Sequence, residues 1–116
     1  MVAEWHSGSA AEDGSQNRGW FVGHFIDPVR GVRHSKDVEV KWSSHPAGEK
    51  RADWVTGDDR TTLILVIQGT HRVDLPEASI TLTRPGDYAI WGPGIDHSWE
   101  AESDTTVVTV RWPSSP

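Results

Sequence analysis

Apolar and polar residues alternate in short runs along much of the chain, which is the period-2 pattern of half-buried β-strands. The clearest run is Val38 to Ser43, where Val and Trp alternate with charged residues. Residues 61–67 form a continuous apolar run that ends at Gly69, which is typical of a strand buried on both faces. No stretch of the sequence keeps a helical period over three turns. The pattern therefore predicts strands rather than helices.

Turn-forming residues separate the other predicted strands. An aromatic and β-branched segment at 20–26 is closed by Asp27-Pro28. Further short strands are predicted at 72–75, 79–83, 88–91, 97–100 and 105–112, each bounded by Gly, Pro or Asp. Roughly eight short strands with turn signals every ~8–12 residues predict an all-β sandwich or barrel.

The first part of the chain differs from the rest in composition. Residues 7–18 are small, polar and charged, a composition that cannot offset the entropy cost of ordering. We therefore expect residues 1–18 to form a flexible N-terminal tail and residues 19–116 to form one domain. A single core is expected because a domain of ordinary size needs roughly 100–150 residues.

Composition narrows the partners and the chemistry. The net charge of -6 repels a phosphate backbone and argues against nucleic acid as a partner. The absence of Cys excludes disulfides, thiolate metal sites and a Cys nucleophile. Residues 1–7 lack the features of a signal peptide, and no apolar run approaches the ~18 residues of a membrane span. We expect a cytoplasmic protein that does not contact a membrane.

One segment carries a family resemblance. Residues 86–97 read Gly-Asp-Tyr-Ala-Ile-Trp-Gly-Pro-Gly-Ile-Asp-His. This resembles the second cupin motif, in which Gly, five residues, Pro-x-Gly and x-x-His build one hairpin. Gly94 and His97 occupy the family positions, whereas Pro93 is displaced by one residue and Ala101 replaces a frequent Asn. The resemblance implies a cupin-type jelly-roll β-barrel, like those of small single-domain bacterial cupins, with its function in the mouth of the barrel.

The first cupin motif departs from the family pattern. Counting five residues on from Gly48 reaches Trp54-Val55-Thr56, where the family often has His-x-His, and Thr62 stands where it commonly has a metal-binding Glu. Only His97 therefore carries over as a family ligand. The sequence is also weakly similar to the zinc-binding cupin modules of hydrazine-forming synthetases in natural-product pathways. Such a synthetase would need a separate ATP-using domain, and we expect none within these residues.

A metal site can still be assembled from other residues. His45 and Glu49 bracket the Pro46-Ala47-Gly48 turn, and His97 would approach from the second motif. Three N/O ligands with an open position would suit a divalent metal, Zn²⁺ above all. His34 and Glu39 are held in reserve. The alternative is that His45 and Glu49 are solvated turn residues and that His97 has a structural role.

An organic ligand is the other candidate occupant of the barrel. Trp54, Thr56 and Thr62 take the positions of inward-facing ligands, so they are predicted to face the interior. Trp91 and Trp99 flank the second motif and would add rings to the same mouth. The alternative is that Trp54 is simply part of the core, which is the commoner place for a Trp.

Charged residues on the strand near residue 40 allow two interpretations. Glu39 and Lys41 would form a charged pair in the pocket if they face inward, with Lys41 as a substrate-binding residue. Charges that alternate with Val38, Val40 and Trp42 lie more often on the solvent face, and we favour that interpretation.

Three functions follow as hypotheses. The first is a metal-dependent cupin that acts on or binds a small organic molecule in metabolism, the second is a non-catalytic ligand-binding cupin, and the third is an accessory module that acts as a homodimer. The sequence contains no nucleophile elbow and no Gly-rich phosphate loop, which disfavours a hydrolase or a nucleotide-binding protein.

Overall fold

Eight β-strands form two facing antiparallel sheets in the computed structural model, which describes residues 4–116. The strands are β1 (Trp20–Val22), β2 (Glu39–His45), β3 (Thr61–Gln68), β4 (His71–Leu75), β5 (Ala78–Leu82), β6 (Tyr88–Trp91), β7 (Ser98–Ala101) and β8 (Thr105–Trp112). One sheet has the order β1-β2-β8-β3-β6, and the other has the order β5-β4-β7. The predicted all-β jelly-roll fold is confirmed.

The predicted strand pattern agrees closely with these bounds, because alternation along each strand reports which face meets the second sheet. In β3 the side chains of Thr62, Ile64 and Val66 are buried, whereas Leu63 and Leu65 are only partly buried. The expectation that this strand is buried on both faces is therefore wrong. Only one face of the five-stranded sheet meets the opposing sheet.

The hydrophobic core lies between the two sheets. Val66, Val73 and Val107 are almost completely buried and come from β3, β4 and β8. They pack in one cluster with Leu82 of β5 and Trp91 of β6. Because both sheets contribute, burial of this apolar surface holds the two layers together.

The segment expected to be a loose tail contains a short helix. Helix α1 (Ala10–Asp13) begins after Ser9, whose hydroxyl accepts a hydrogen bond from the Glu12 amide. Arg33, at the end of a 3-10 helix (Pro28–Arg33), donates to the Asp13 and Phe21 carbonyls and so ties α1 to the strands. Residues 1–3 of the predicted tail lie outside the described residues. Flexibility of the whole segment stays a prediction.

Gly69 follows the last residue of β3 and has a φ of 90°. A Cβ there would lie 2.2 Å from the Asp104 carbonyl oxygen, so only glycine fits this turn.

Among residues 4–116, no helix combines the length and the apolar character needed to cross a membrane.

Candidate functional site

A cavity of about 110 Å³ lies between the two sheets. Strand alternation builds its wall. Lys41, Ser43 and His45 line the cavity from every second position of β2, and Thr109 and Arg111 do so from β8. Strand β2 pairs with β8 in unbroken register, from Glu39 opposite Arg111 to His45 opposite Thr105. This register places the polar residues of both strands on the same inner face.

Aromatic rings form two groups in the cavity wall. Trp99 packs against His45 and His71, with ring centroids 4.4 Å and 5.2 Å away. Trp91 packs against His97, with centroids 4.7 Å apart. All five residues line the cavity. The cavity therefore offers flat, apolar surfaces beside imidazole nitrogens.

His71 is the most unusual group in this wall. The residue is 1% exposed, and neither of its ring nitrogens has a hydrogen-bond partner among residues 4–116. Burial, with a smaller contribution from the charge of His45, lowers its pKa to about 4. The imidazole is therefore neutral near pH 7, with one N–H donor and one acceptor nitrogen available to a ligand.

Two further buried polar atoms of the wall lack partners within the described chain. These are Thr62 Oγ1 and Trp91 Nε1. Buried polar groups in proteins are nearly always hydrogen-bonded, because an unsatisfied group costs ~1–3 kcal/mol. Thr62, Trp91 and His71 thus line the cavity and each carries a buried polar atom that has no hydrogen-bond partner within residues 4–116.

The cavity wall is cationic. Lys41, Arg51 and Arg111 line it, and among the described residues no Asp or Glu side chain does so. Burial lowers the pKa of Lys41, and the nearby charge of Arg111 lowers it further. The Lys41 ammonium lies 5.6 Å from the ring centre of Trp20, and the Arg111 guanidinium lies 4.1 Å from it.

Glu39 holds Arg111 in position through hydrogen bonds, although Glu39 itself does not line the cavity. Its side chain accepts hydrogen bonds from Arg111 Nε at 2.9 Å and from Arg111 Nη2, and Arg60 Nη1 donates to both of its oxygens at 3.1 Å. Glu39 is 0% exposed, so the solvent-face interpretation is wrong for this strand. The reason is its register with β8, which places Glu39 and Lys41 inside. Glu39 pairs with the two arginines rather than with Lys41.

The structure brings together only part of the predicted zinc site. His45 Nδ1 contacts Glu49 Oε1, whereas its Nε2 lies 3.1 Å from Ser43 Oγ. His97 lines the cavity but packs against Trp91, and its Nδ1 lies 3.2 Å from the Ile95 carbonyl oxygen. Burial lowers the pKa of His97.

The reserve ligands have other partners. His34 Nδ1 bonds the Ile26 carbonyl, and Glu39 binds the arginines described above. Between residues 4 and 116, no group of three or more His, Cys, Asp or Glu side chains is placed to hold a metal ion. The arrangement of His45, Glu49 and His97 therefore does not fit a three-ligand zinc site, because His45 already bonds through both nitrogens.

The predicted substrate-binding residues divide into two sets. Lys41, Thr62, Trp91 and Trp99 lie in the cavity wall, whereas Trp54 and Thr56 do not. Trp54 is 47% exposed and does not line the cavity, so the prediction that it faces the barrel interior is wrong.

The register of the neighbouring segment explains this error. The backbone of Val55 pairs with that of His97, and it is Val55 that lines the cavity. Its neighbours in sequence, Trp54 and Thr56, fall on the other side.

Sequence reasoning missed several residues of the wall. Ser43, Arg51, His71 and Arg111 all line the cavity. Ser43 and Arg111 could have been found by extending inward parity from Lys41 along β2 and by pairing that strand with β8. His71 and Arg51 carry no spacing signal, because their positions depend on how the two sheets meet.

Comparison with known proteins supports the architecture. No protein-family model and no curated protein matches the sequence. Among solved structures, KdgF from Halomonas sp. is similar at 22% identity and a TM-score of 0.63, over 72% of this chain and 77% of that chain. A cupin superfamily protein from Desulfitobacterium hafniense is 19% identical, with a TM-score of 0.62 over 68% of this chain and 70% of that one. An RmlC-like cupin from Shewanella frigidimarina is 15% identical, with a TM-score of 0.61 over 68% of each chain. These likenesses show that the chain has the cupin fold.

Proposed function

We propose that this cupin-fold protein binds a small organic anion, a carboxylate with a flat body, in the cavity between its sheets. The observation that carries the proposal is the cavity wall, which presents Lys41, Arg51 and Arg111 and no acidic side chain of residues 4–116. This distribution is opposite to that of the whole chain, whose net charge is -6. A concentrated positive surface inside an acidic protein favours an anionic ligand.

The charges of the wall support a carboxylate in particular. Lys41 and Arg111 repel each other, and burial removes much of the water that would screen them. A carboxylate would relieve this repulsion and accept charge-assisted hydrogen bonds. Glu39 holds Arg111 through Nε and Nη2, so the guanidinium is already fixed before a ligand binds. Less ordering entropy is then lost on binding.

Size and shape restrict the rest of the ligand. A cavity of about 110 Å³ is smaller than the ~300–1,000 Å³ of sites for drug-sized molecules. The rings of Trp91 and Trp99 would pack against a planar body, and His71 would hydrogen-bond a hydroxyl or carbonyl group. Benzoate and small unsaturated acids are suitable probes of this class.

Calorimetric titration with benzoate and with benzamide tests the proposal. The two molecules have similar shapes, but only benzoate carries a charge. A charged hydrogen bond contributes ~1.5–3 kcal/mol, so benzoate is expected to bind at least ~10-fold more tightly. Lys41→Met is expected to remove most of this preference, whereas Lys36→Met, at an exposed lysine, preserves it. Equal binding of the two probes, or no binding of either, would contradict the proposal.

Several finer predictions remain open to experiment. Zinc binding by His45, Glu49 and His97 would require these side chains to rearrange, and elemental analysis of untagged protein tests it. The similarity to the cupin modules of hydrazine-forming synthetases and a place in bacterial natural-product metabolism stay predictions.

Homodimer formation also stays a prediction, and sedimentation analysis tests it. Tyr88 and Ile90, 59% and 49% exposed on β6 at the edge of the larger sheet, would suit such a contact.

A further inference from the structure

Ser43, His45 and Glu49 form a hydrogen-bonded series beside the cavity. Glu49 Oε1 contacts His45 Nδ1, and His45 Nε2 lies 3.1 Å from Ser43 Oγ. A carboxylate only accepts hydrogen bonds, so Nδ1 carries the imidazole proton and Nε2 presents its lone pair to the Ser43 hydroxyl. This is the order of groups in a nucleophilic triad: a hydroxyl, a base and a carboxylate that orients the base.

We propose that Ser43, His45 and Glu49 act as a catalytic triad that hydrolyses small esters in the cavity. Ser43 and His45 both line the cavity, so a bound acyl group would meet the hydroxyl directly. The His45 side chain is mostly buried, whereas that of Glu49 is 44% exposed. The proposal goes beyond anion binding, because it assigns a reaction to residues other than the cationic Lys41, Arg51 and Arg111.

The fold produces this arrangement from local geometry. Ser43 and His45 are two residues apart on β2, so their side chains share its inner face. The Pro46-Ala47-Gly48 turn then reverses the chain, since the Glu49 amide donates to the Pro46 carbonyl. This reversal returns Glu49 to His45, four residues earlier. No Gly-x-Ser-x-Gly elbow is needed, which is why sequence motifs gave no sign of a hydrolase.

His45 is held in place by its neighbours. Its ring packs against Trp99 with centroids 4.4 Å apart, and the ring of His71 is stacked at 6.0 Å. A base fixed in one orientation loses less entropy at the transition state.

His71 would stabilise the negative charge that develops on the carbonyl oxygen of the ester. It is fully buried in the same wall, is neutral near pH 7, and has an N–H without a partner in the described chain. A fixed neutral donor stabilises an oxyanion more than bulk water does, because the donor does not have to reorient during the reaction.

The reaction consumes one water molecule. Ser43 Oγ bonds to the ester carbonyl carbon while its proton passes to His45 Nε2, and the resulting oxyanion faces the His71 N–H. The carbon–oxygen bond to the alcohol then breaks, and the alcohol leaves with the proton from His45. Water attacks the acyl group on Ser43 and gives its proton to His45, which returns it to Ser43 Oγ. The product carboxylate belongs to the ligand class proposed above.

Hydrolysis of p-nitrophenyl acetate by the full chain tests the triad, because the ester is neutral and its acetyl group fits a cavity of this size. Ser43→Ala is expected to lower kcat/KM at least ~100-fold, as removal of a nucleophile or base typically does. The matched control is Ser44→Ala, since Ser44 is exposed and its hydroxyl bonds Thr106. It is expected to stay within ~2-fold of wild type. Glu49→Gln is expected to lower kcat by ~10-fold or more without raising KM, which distinguishes a positioning residue from a merely structural one.

Mass spectrometry gives a second readout that does not depend on a folded variant. Wild-type protein treated with diisopropyl fluorophosphate is expected to carry the label on Ser43. Label on other residues only, or equal ester hydrolysis by wild type and Ser43→Ala, overturns the triad. The cationic wall is tested separately by binding of benzoate, so failure of the triad and failure of anion binding give different results.

Discussion

Glu39 is the buried charge on which the cavity wall depends, and its removal should have a large cost. The carboxylate is 0% exposed and binds two guanidinium groups, those of Arg60 and Arg111. Glu39→Gln keeps the shape of the side chain but removes the counter-charge that Arg111 and Arg60 share, which leaves Asp58 as the partner of Arg60. Removing one partner of a buried ion pair costs ~3–5 kcal/mol.

The geometry places the expected cost at the lower end of this range. The side chains of Arg60 and Arg111 are 22% and 23% exposed, so water can partly solvate them after the substitution. Arg60 also keeps its hydrogen bonds to Asp58. We therefore expect a loss of about 3 kcal/mol in the free energy of unfolding, or roughly 10–15 °C in Tm.

Urea denaturation of five proteins measures this effect: wild type, Glu39→Gln, Arg111→Met, the variant that combines these two substitutions, and Glu100→Gln. Glu100→Gln is the control, because Glu100 pairs with Arg72 across 3.5 Å at a more exposed site, and it should cost less than about 1 kcal/mol. Glu39→Gln combined with Arg111→Met should lose at least ~1 kcal/mol less than the sum of the two single substitutions. If Glu39→Gln unfolds within 1 kcal/mol of wild type, Glu39 is not a buried counter-charge and the account of the wall is wrong.

Two other predictions concern His71 and the contrast between Trp54 and Trp91. His71 has a native pKa of about 4 against about 6.5 when unfolded, so only the unfolded chain gains a proton between these values. Because His71 is buried in its neutral form, the free energy of unfolding should fall by roughly 3 kcal/mol as pH falls from 6.5 to 4. Denaturation of His71→Gln should not show this pH-dependent loss. An unchanged pH dependence would contradict the neutral His71. Trp54→Ala should cost less than about 1 kcal/mol and Trp91→Ala ~3–5 kcal/mol in the same assay, because only Trp91 is buried, and equal costs would contradict their placement.

The fold was predictable because strand alternation and turn residues are local signals. Seven of the eight strands lie within two residues of their predicted bounds, whereas β1 ends at Val22, four residues before its predicted end. The hairpin that ends at His97 carries the cupin resemblance. Alternation along a strand did not predict which face is buried where the pairing of distant segments decides it. Glu39 looked solvent-facing because its alternation with Val38 and Val40 fits either face, and only its register with Arg111 shows which face is buried.

The candidate site was only partly predictable for the same reason. Trp91 and Trp99 were named because they flank the second cupin motif, whereas Lys41 was named as a candidate although the alternation of its strand favoured the solvent face. Arg111 lies at the far end of the chain and reaches the cavity through the pairing of β2 with β8. His71 stands out from the other histidines because both of its ring nitrogens are buried without a hydrogen-bond partner in the described structure, and no sequence pattern reveals this.

The indole N–H resonances of the protein give the most direct test of anion binding in the cavity. Trp91 Nε1 is buried in the cavity wall without a partner in the described chain, whereas Trp54 is exposed and outside the wall. Single Trp→Phe variants assign the two signals in a ¹H–¹⁵N spectrum. Titration with benzoate should shift the Trp91 indole signal saturably and leave that of Trp54 unchanged, whereas benzamide should shift neither at the same concentration. A Trp91 signal that does not respond to benzoate, or that responds equally to benzamide, would contradict an anion site between the two sheets.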